Sequence, residues 1–280
     1  MKRIATIQDI SCLGKCSLTV ALPLISACGV EACVVPTAVL STHTMFKNYT
    51  FRDLTSDMPD ILKHWKAENF KFDAIYTGYL GSFEQIEIVK DYFRELKSET
   101  TITVVDPVMA DNGKLYPGFD KAFAEKMFSL CGVADIILPN LTEATIMLNK
   151  PYIASGYSRD YIEDILRELT LSGAKTAVIT GVSFQKGKIG VMGYDSVKKE
   201  FFEYYNDKVD AAYHGTGDIF SSVFVGALER GKSVLDALAV AADFTAECIR
   251  VTKSDKNAVT YGVNFELVMP KLIKLLENER

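Results

Sequence analysis

Two kinds of apolar pattern alternate along the chain. "RIATIQDI" (3–10), "EACVVPTAVL" (31–40), "DAIYTGYL" (73–80), "TITVVDPV" (101–108), "ADIILPN" (134–140) and "KTAVITGV" (175–182) are short apolar runs rich in β-branched residues, and they read as strands. Between them the apolar positions recur at helical spacing. "SLTVALPLISACG" (17–29, with Pro23 inside), "DMPDILKHWKAENF" (57–70), "FEQIEIVKDYFRELK" (83–97) and "RDYIEDILRELTLSG" (159–173) read as helices. In 83–97, Ile86, Val89, Phe93 and Leu96 share one face. A further helix precedes 134–140. "KIGVMGYDSVKKEFFEYYN" (188–206) predicts an antiparallel hairpin, and two or three helices finish the chain.

Repeated strand–helix units predict an α/β fold: a mostly parallel central sheet, helices on both faces, and antiparallel strands at one edge. No linker, repeat or low-complexity tract interrupts the pattern, so residues 1–280 are expected to form a single domain. In such sheets ligands collect beyond the carboxyl ends of the strands. That rule selects Asp9, the segment 41–44, Tyr79, Asp106, Asn140, Thr180 and the loop before Asp218.

Composition narrows the partners. A net charge of -5 argues against a nucleic-acid surface, where a basic stripe is expected. The apolar run at the start breaks at Gln8 and Asp9, so it does not read as a signal peptide. No stretch reaches membrane-spanning length, and a cytoplasmic location is expected. The six cysteines form no C-x-x-C pair, so zinc is not expected and reduced thiols are. With only His43, His64 and His214, a His-rich metal site is not expected either.

The motif that carries chemistry is "HGTGD" (214–218), set at the mouth of the apolar helix "IFSSVFVGALERG". Gly215 and Gly217 permit backbone shapes that side chains block. The unpaired N–H groups of a helix start, together with its dipole, favour an anion. Asp218 in the first turn can accept a proton from a hydroxyl. An anion cradle beside a carboxylate suits phosphoryl transfer to an alcohol. The plainer reading is a glycine turn whose acid stabilises a helix start. No P-loop is present: Gly14-Lys15 is followed by Cys16, and Asp9 stands where the earlier glycine belongs. A dinucleotide fingerprint is absent too.

The blocks "IQDISCLGKCS" (7–17), "STHT" (41–44), "YTGYLGS" (76–82), "VDPVMADNGKLY" (105–116), "ILPNLTEA" (137–144), "VITG" (178–181) and "HGTGD" follow one another in an order that resembles the pyridoxal kinases of the ribokinase-like superfamily. The resemblance spans essentially the whole chain. It implies a three-layer αβα sandwich, ATP and Mg2+ as cosubstrate and metal, a monovalent cation such as K+, a homodimer, and transfer of phosphate to the hydroxymethyl group of a B6 vitamer. It makes Asp218 the catalytic base and the backbone of Gly215, Thr216 and Gly217 the anion hole. Asp106 and Glu143 match acids near the metal and phosphates. Asn140 and Thr180 match nucleotide-side residues, and Asp111 lies in a loop over the site. "STHT" resembles the substrate segment, assigning His43 and Thr44 to the vitamer together with Tyr79. Sugar kinases of the superfamily carry a Gly-Gly motif where this chain has Ala27-Cys28-Gly29, which points away from a sugar.

Structural roles stay open for several of these residues. Glu143 and Asn140 can serve a helix start, Thr180 and Tyr79 a core, and Asp111 a solvated loop. Asp9 departs from the family, where a serine commonly meets the pyridine nitrogen. An ionised carboxylate accepts but cannot donate, so it would select a protonated ring nitrogen or an amino substituent. A hydroxymethylpyrimidine kinase is therefore the alternative activity, and Lys15 pairing with Asp9 is the alternative role for that acid. A non-catalytic vitamin-binding protein is the remaining alternative, set against the retention of Asp218 with an intact Gly-Thr-Gly.

Overall fold

Six strands that run parallel form the middle of one nine-stranded sheet. The computed structural model describes residues 1–277. The parallel strands are β1 (Arg3–Ser11), β2 (Glu31–Leu40), β4 (Ala74–Thr77), β5 (Ile102–Val105), β8 (Ile136–Ile137) and β9 (Thr176–Val182). The sheet order is β11-β10-β9-β8-β5-β4-β1-β2-β3, where β3 is Phe51–Asp53, β10 Lys188–Asp195 and β11 Glu200–Asp207. The winding direction reverses at β1, because β2 lies on one side of it and β4 on the other. A crevice opens at the carboxyl ends of strands at such a reversal. Asp9 is in β1 and Tyr79 lies just beyond β4, so both belong to this place.

Each face of the sheet buries its own apolar core. One core packs under α2 (Met58–Ala67), α3 (Phe83–Leu96), α4 (Lys121–Cys131), α5 (Leu141–Met147) and α6 (Arg159–Leu171). Ile86, Val89, Phe93 and Leu96 are all buried there, as their shared helical face predicts. The opposite core holds α1 (Leu18–Ala27), α7 (Thr216–Glu229), α8 (Val234–Ser254) and α9 (Met269–Glu277). α7 is apolar on nearly all sides because it lies between the sheet, α1 and α8.

The structure corrects the expectation in three places. Antiparallel strands occur at both edges, not one: β10 and β11 form the expected hairpin, but β3 also pairs antiparallel with β2. The chain folds back there through Ser41 N–H to the Thr50 carbonyl, and β3 is exposed and too short to show a pattern. The stretches 101–108 and 134–140 are strand only in Ile102–Val105 and Ile136–Ile137. Pro107 and Pro139 have no N–H for the ladder, and the chain leaves the sheet before them. Finally, Ala110–Asp111 (β6) and Lys114–Leu115 (β7) form a small hairpin whose turn, Asn112-Gly113, has positive φ at both residues.

Candidate active site

The start of α7 is built by close backbone approach. Gly215 caps it in the left-handed region at φ 77, and a Cβ there would lie 2.1 Å from the Lys15 carbonyl oxygen. Glycine is therefore required on steric as well as conformational grounds. A Cβ on Gly217 would meet nothing within 4 Å, so this side of the turn faces open space. The first-turn N–H groups stay outside the helical ladder. Thr216 turns its hydroxyl back to the Tyr213 carbonyl at 3.2 Å, leaving its backbone to the mouth of the helix.

Asp218 faces the same space. Its Oδ2 accepts the Ser17 N–H at 3.0 Å. Burial, reinforced by the negative charge of Asp9 and opposed by that N–H, pushes its pKa up to about 6. Asp106 is buried behind it and accepts the Ser221 hydroxyl at 2.6 Å. Desolvation and the neighbouring Asp218 push Asp106 up to about 7 despite that hydrogen bond. Both acids line a cavity of about 370 Å³ with Asp111, Asn140, Glu143, Thr180, Gly215, Thr216 and Gly217. Its far wall is Ala242, Thr245, Ala246 and Ile249 of α8, with Ile189, Val191 and Asn206 from the edge hairpin. The chamber is mainly apolar at that end and acidic at the other. Among the described residues no lysine or arginine lines it.

Asn140 and Glu143 make a reciprocal cap at the start of α5. The Asn140 side chain accepts the Glu143 N–H at 3.0 Å, and Glu143 Oε2 accepts the Asn140 N–H at 2.9 Å. Glu143 Oε1 also accepts from Met109 at 3.0 Å and Ala110 at 3.4 Å. Burial and the charge of Asp106 hold its pKa well above the ordinary range. The helix-start role is thus present, and the same carboxyl lines the cavity. Thr180 is bridged to Asn140 beside it. Asp111 is exposed at the rim and accepts the Asn112 N–H at 2.8 Å.

The remaining assigned residues stand at or beyond the carboxyl ends of β1, β2 and β4. Asp9 is buried, with Oδ2 accepting the Ser11 hydroxyl at 3.0 Å. Burial raises its pKa, against hydrogen bonds from Ser17 and Ser11. The alternative of a Lys15 partner does not hold: Lys15 Nζ points away, to Glu266 Oε2 at 2.9 Å. His43 is buried with both ring nitrogens engaged. Nδ1 accepts the Met45 N–H at 3.1 Å, which leaves Nε2 to donate to the Tyr261 carbonyl at 3.1 Å. Desolvation lowers its pKa, keeping this tautomer neutral. Tyr79 packs on Phe119 with ring centroids 5.7 Å apart, and burial together with the Asp9 charge pushes its phenol up to about 12. Thr44 is exposed in the following loop and is not brought into the buried cluster.

Three contributors escaped the sequence reading. Ser221 could have been found, because it lies three residues after Asp218 and so on the same face of α7. His214 lies at the cavity rim, 5.5 Å from the His43 ring. Ser17 contributes a backbone N–H from a residue at φ 51, which no side-chain pattern reveals.

Comparison with known proteins decides the family. The Phosphomethylpyrimidine kinase family model matches residues 21–264. The chain belongs to the phosphomethylpyrimidine kinase family. A Bacteroides thetaiotaomicron protein described as a phosphomethylpyrimidine kinase, crystallised with pyridoxal, is 39% identical, with TM-score 0.91 over 97% of this chain and 95% of that one. Pyridoxal kinase from Lactobacillus plantarum is 30% identical, with TM-score 0.90 over 99% of this chain and 98% of that one. Pyridoxal kinase PdxY of Pasteurella multocida is 25% identical over 92% of this chain and 91% of its own length. The resemblance to pyridoxal kinases holds, and with it the ribokinase-like αβα fold. Within the phosphomethylpyrimidine kinase family the names thus cover both a pyrimidine and a pyridine acceptor.

Proposed function

We propose that this chain transfers the γ-phosphoryl group of ATP to the hydroxymethyl group of pyridoxal, pyridoxine or pyridoxamine. The observation that carries the reading is the placement of Asp218: a carboxyl that can change protonation near neutrality, beside an open helix start, at one end of a nucleotide-sized cavity. A general base works best with a pKa near the operating pH. Asp218 takes the hydroxymethyl proton as that oxygen attacks the γ-phosphorus and the bond to the ADP oxygen breaks. The N–H groups of Gly215, Thr216 and Gly217 hold the transferring phosphoryl oxygens. The apolar wall from α8 receives the base of the nucleotide. At the acceptor end, Asp9 meets the heteroaromatic ring and the neutral His43 presents a ring face against it, with Tyr79 closing the crevice.

The lining fits a metal-dependent polyphosphate. Asp106, Asp111, Glu143 and Asp218 bring acids to the cavity, and among the described residues no lysine or arginine lines it with them. A polyphosphate cannot enter such a chamber without cations. Asp106, whose protein partner is a neutral hydroxyl, would hold Mg2+, with the buried Glu143 carboxyl near it. The metal supplies neutralisation of the phosphate oxygens. K+ would serve the same electrostatic need. We further propose a single domain over 1–280, a homodimer and a cytoplasmic location. Among the described residues no helix is long and apolar enough to cross a membrane.

A second acceptor is favoured by one observation, the family model's own description as a phosphomethylpyrimidine kinase. Phosphate transfer from Mg-ATP to the three vitamers and to hydroxymethylpyrimidine, assayed side by side, separates the readings. The expected result is the highest kcat/KM with a B6 vitamer. Exclusive use of the pyrimidine would overturn the vitamer reading, and no transfer to any of the four would leave a binding protein.

A further inference from the structure

The segment Gly14–Ser17 forms an arch against the start of α7, and its backbone is under unusual demands. Lys15 and Ser17 both have positive φ, 53 and 51, although neither is glycine. Such conformations persist where surrounding contacts over-determine them. Here the contacts run in two directions. Inward, Ser17 N–H donates to Asp218 at 3.0 Å, and the Lys15 carbonyl sits against Gly215 so closely that a Cβ could not intervene. Outward, the Lys15 ammonium is fully saturated. Its donors reach the Val263 carbonyl at 3.2 Å, Asn264 Oδ1 at 3.2 Å and Glu266 Oε2 at 2.9 Å. The Phe265 ring lies 5.8 Å from the same nitrogen, and Gly262 leaves room for the Lys15 stem.

A half-exposed ion pair with Glu266 is worth little by itself. Two neutral acceptors aimed at the same ammonium are a different matter, because they fix its direction. We propose that Lys15 is a positioning residue: clamped by 263–266, it holds the arch in the conformation that aims the Ser17 N–H at Asp218 and the Lys15 carbonyl at Gly215. This rests on the reading of Asp218 as the base. Lys15 touches neither substrate nor reacting atom; it acts through Ser17 and Gly215. The C-terminal segment, more than 240 residues away in sequence, thereby sets the geometry of the transfer.

The readout that separates positioning from mere support is the protonation of Asp218. The Ser17 N–H stabilises the charged form, so losing it raises the Asp218 pKa and moves the acid limb of the rate profile to higher pH. The titratable groups facing Asp218 are Asp9 on β1, Cys16 on the arch, Tyr76 on β4, Asp106 beyond β5 and Tyr116 beyond β7, with His214 at the rim. None of them is altered by the test.

Lys15→Met in the full-length protein, assayed with Mg-ATP and the best acceptor, is expected to lower kcat by about tenfold to hundredfold, the scale of a small misplacement. The acid limb should move upward, while KM for ATP stays within about twofold. Asn264→Ala should move both quantities in the same direction by less, and it serves as the test if Lys15→Met does not fold. Asp218→Asn is run alongside. Turnover surviving in Asp218→Asn sinks the base reading itself. With Asp218→Asn inactive, wild-type kcat and an unmoved acid limb in the folded Lys15 variant, or in Asn264→Ala where it replaces it, overturn the positioning role. An activity loss that only tracks the unfolded fraction overturns it equally.

Discussion

Asp106 and Asp135 lie at opposite ends of adjacent strands, and both are buried. Asp135 stands before β8, at the amino edge of the sheet. Its Oδ2 accepts from Lys97 Nζ at 2.7 Å, Thr103 N–H at 2.9 Å and the Thr103 hydroxyl at 2.8 Å, and its Oδ1 pairs with Lys175 at 2.9 Å. Burial alone would raise its pKa, but the two lysines and Thr103 outweigh it and hold the carboxyl well below the usual range. Asp106 stands after β5, at the carboxyl edge. It has one hydroxyl and a neighbouring carboxyl, and its pKa goes the other way. An acid fitted with cations stabilises the fold. An acid left without them costs stability until a ligand brings the cations in. The comparison therefore sets an amino edge whose buried acid is neutralised within the protein against a carboxyl edge whose buried acid is not, and the second is the edge that the proposed function assigns to chemistry.

Removing the carboxylate proposed as the base should give the largest effect. Asp218→Asn keeps the shape but cannot take a proton, and turnover should fall by about 10²–10⁴-fold. Steady-state assays with a melting control check this. The melting temperature should hold or rise, because a buried charge near Asp106 is removed. Near-normal kcat in the folded variant would make the carboxyl edge no different from the amino edge.

Asp9→Ser should give a smaller and more selective change. Losing a charge-assisted hydrogen bond should weaken the preferred acceptor by about 1.5–3 kcal/mol, less whatever the new hydroxyl regains. KM for ATP should stay nearly constant. A vitamer and pyrimidine panel sharpens the comparison, since discrimination among acceptors must change. An equal loss for every acceptor with a lower melting temperature would place Asp9 with Asp135, as a structural acid.

The sequence shows the alternation of strands and helices plainly, because buried parallel strands and amphipathic helices leave different periods. It also shows most of the carboxyl-edge residues, because they lie at or just past the ends of the strand runs. Asp106 and Asn140 follow β5 and β8, Asp9 and Thr180 lie inside β1 and β9 near their carboxyl ends, Asp218 stands in the first turn of α7, and His43 joins them from the loop after β2. What stays hidden depends on contacts between distant segments. The cluster at Asp135 draws on Lys97, Thr103 and Lys175, each ordinary in its own neighbourhood. Lys15 reads locally as a partner for Asp9, six residues away, and instead meets Glu266. The strand β3 is three exposed residues with no period to detect. Thr44 belongs to a recognisable block, yet its side chain is on the surface while His43 beside it is buried.

The most direct test of the division between edges is thermal melting of Asp106→Asn and Asp135→Asn across pH, with turnover measured on the same samples. Asp106 has a raised folded pKa. Its contribution to stability is full below the unfolded value of about 4 and is lost as pH rises to about 7. Asp135 has a depressed one. Its contribution is present above about 4 and is lost as pH falls through the folded value. Asp106→Asn should thus melt at or above the wild-type temperature at pH 7, with a flatter slope between pH 4 and 7, and lose most of its turnover. Asp135→Asn should be less stable at pH 7 by about 1–2 kcal/mol, allowing for the exposure of Lys175, with turnover per folded molecule intact. An Asp106→Asn protein that melts as low as Asp135→Asn at pH 7 and still turns over normally would contradict the account.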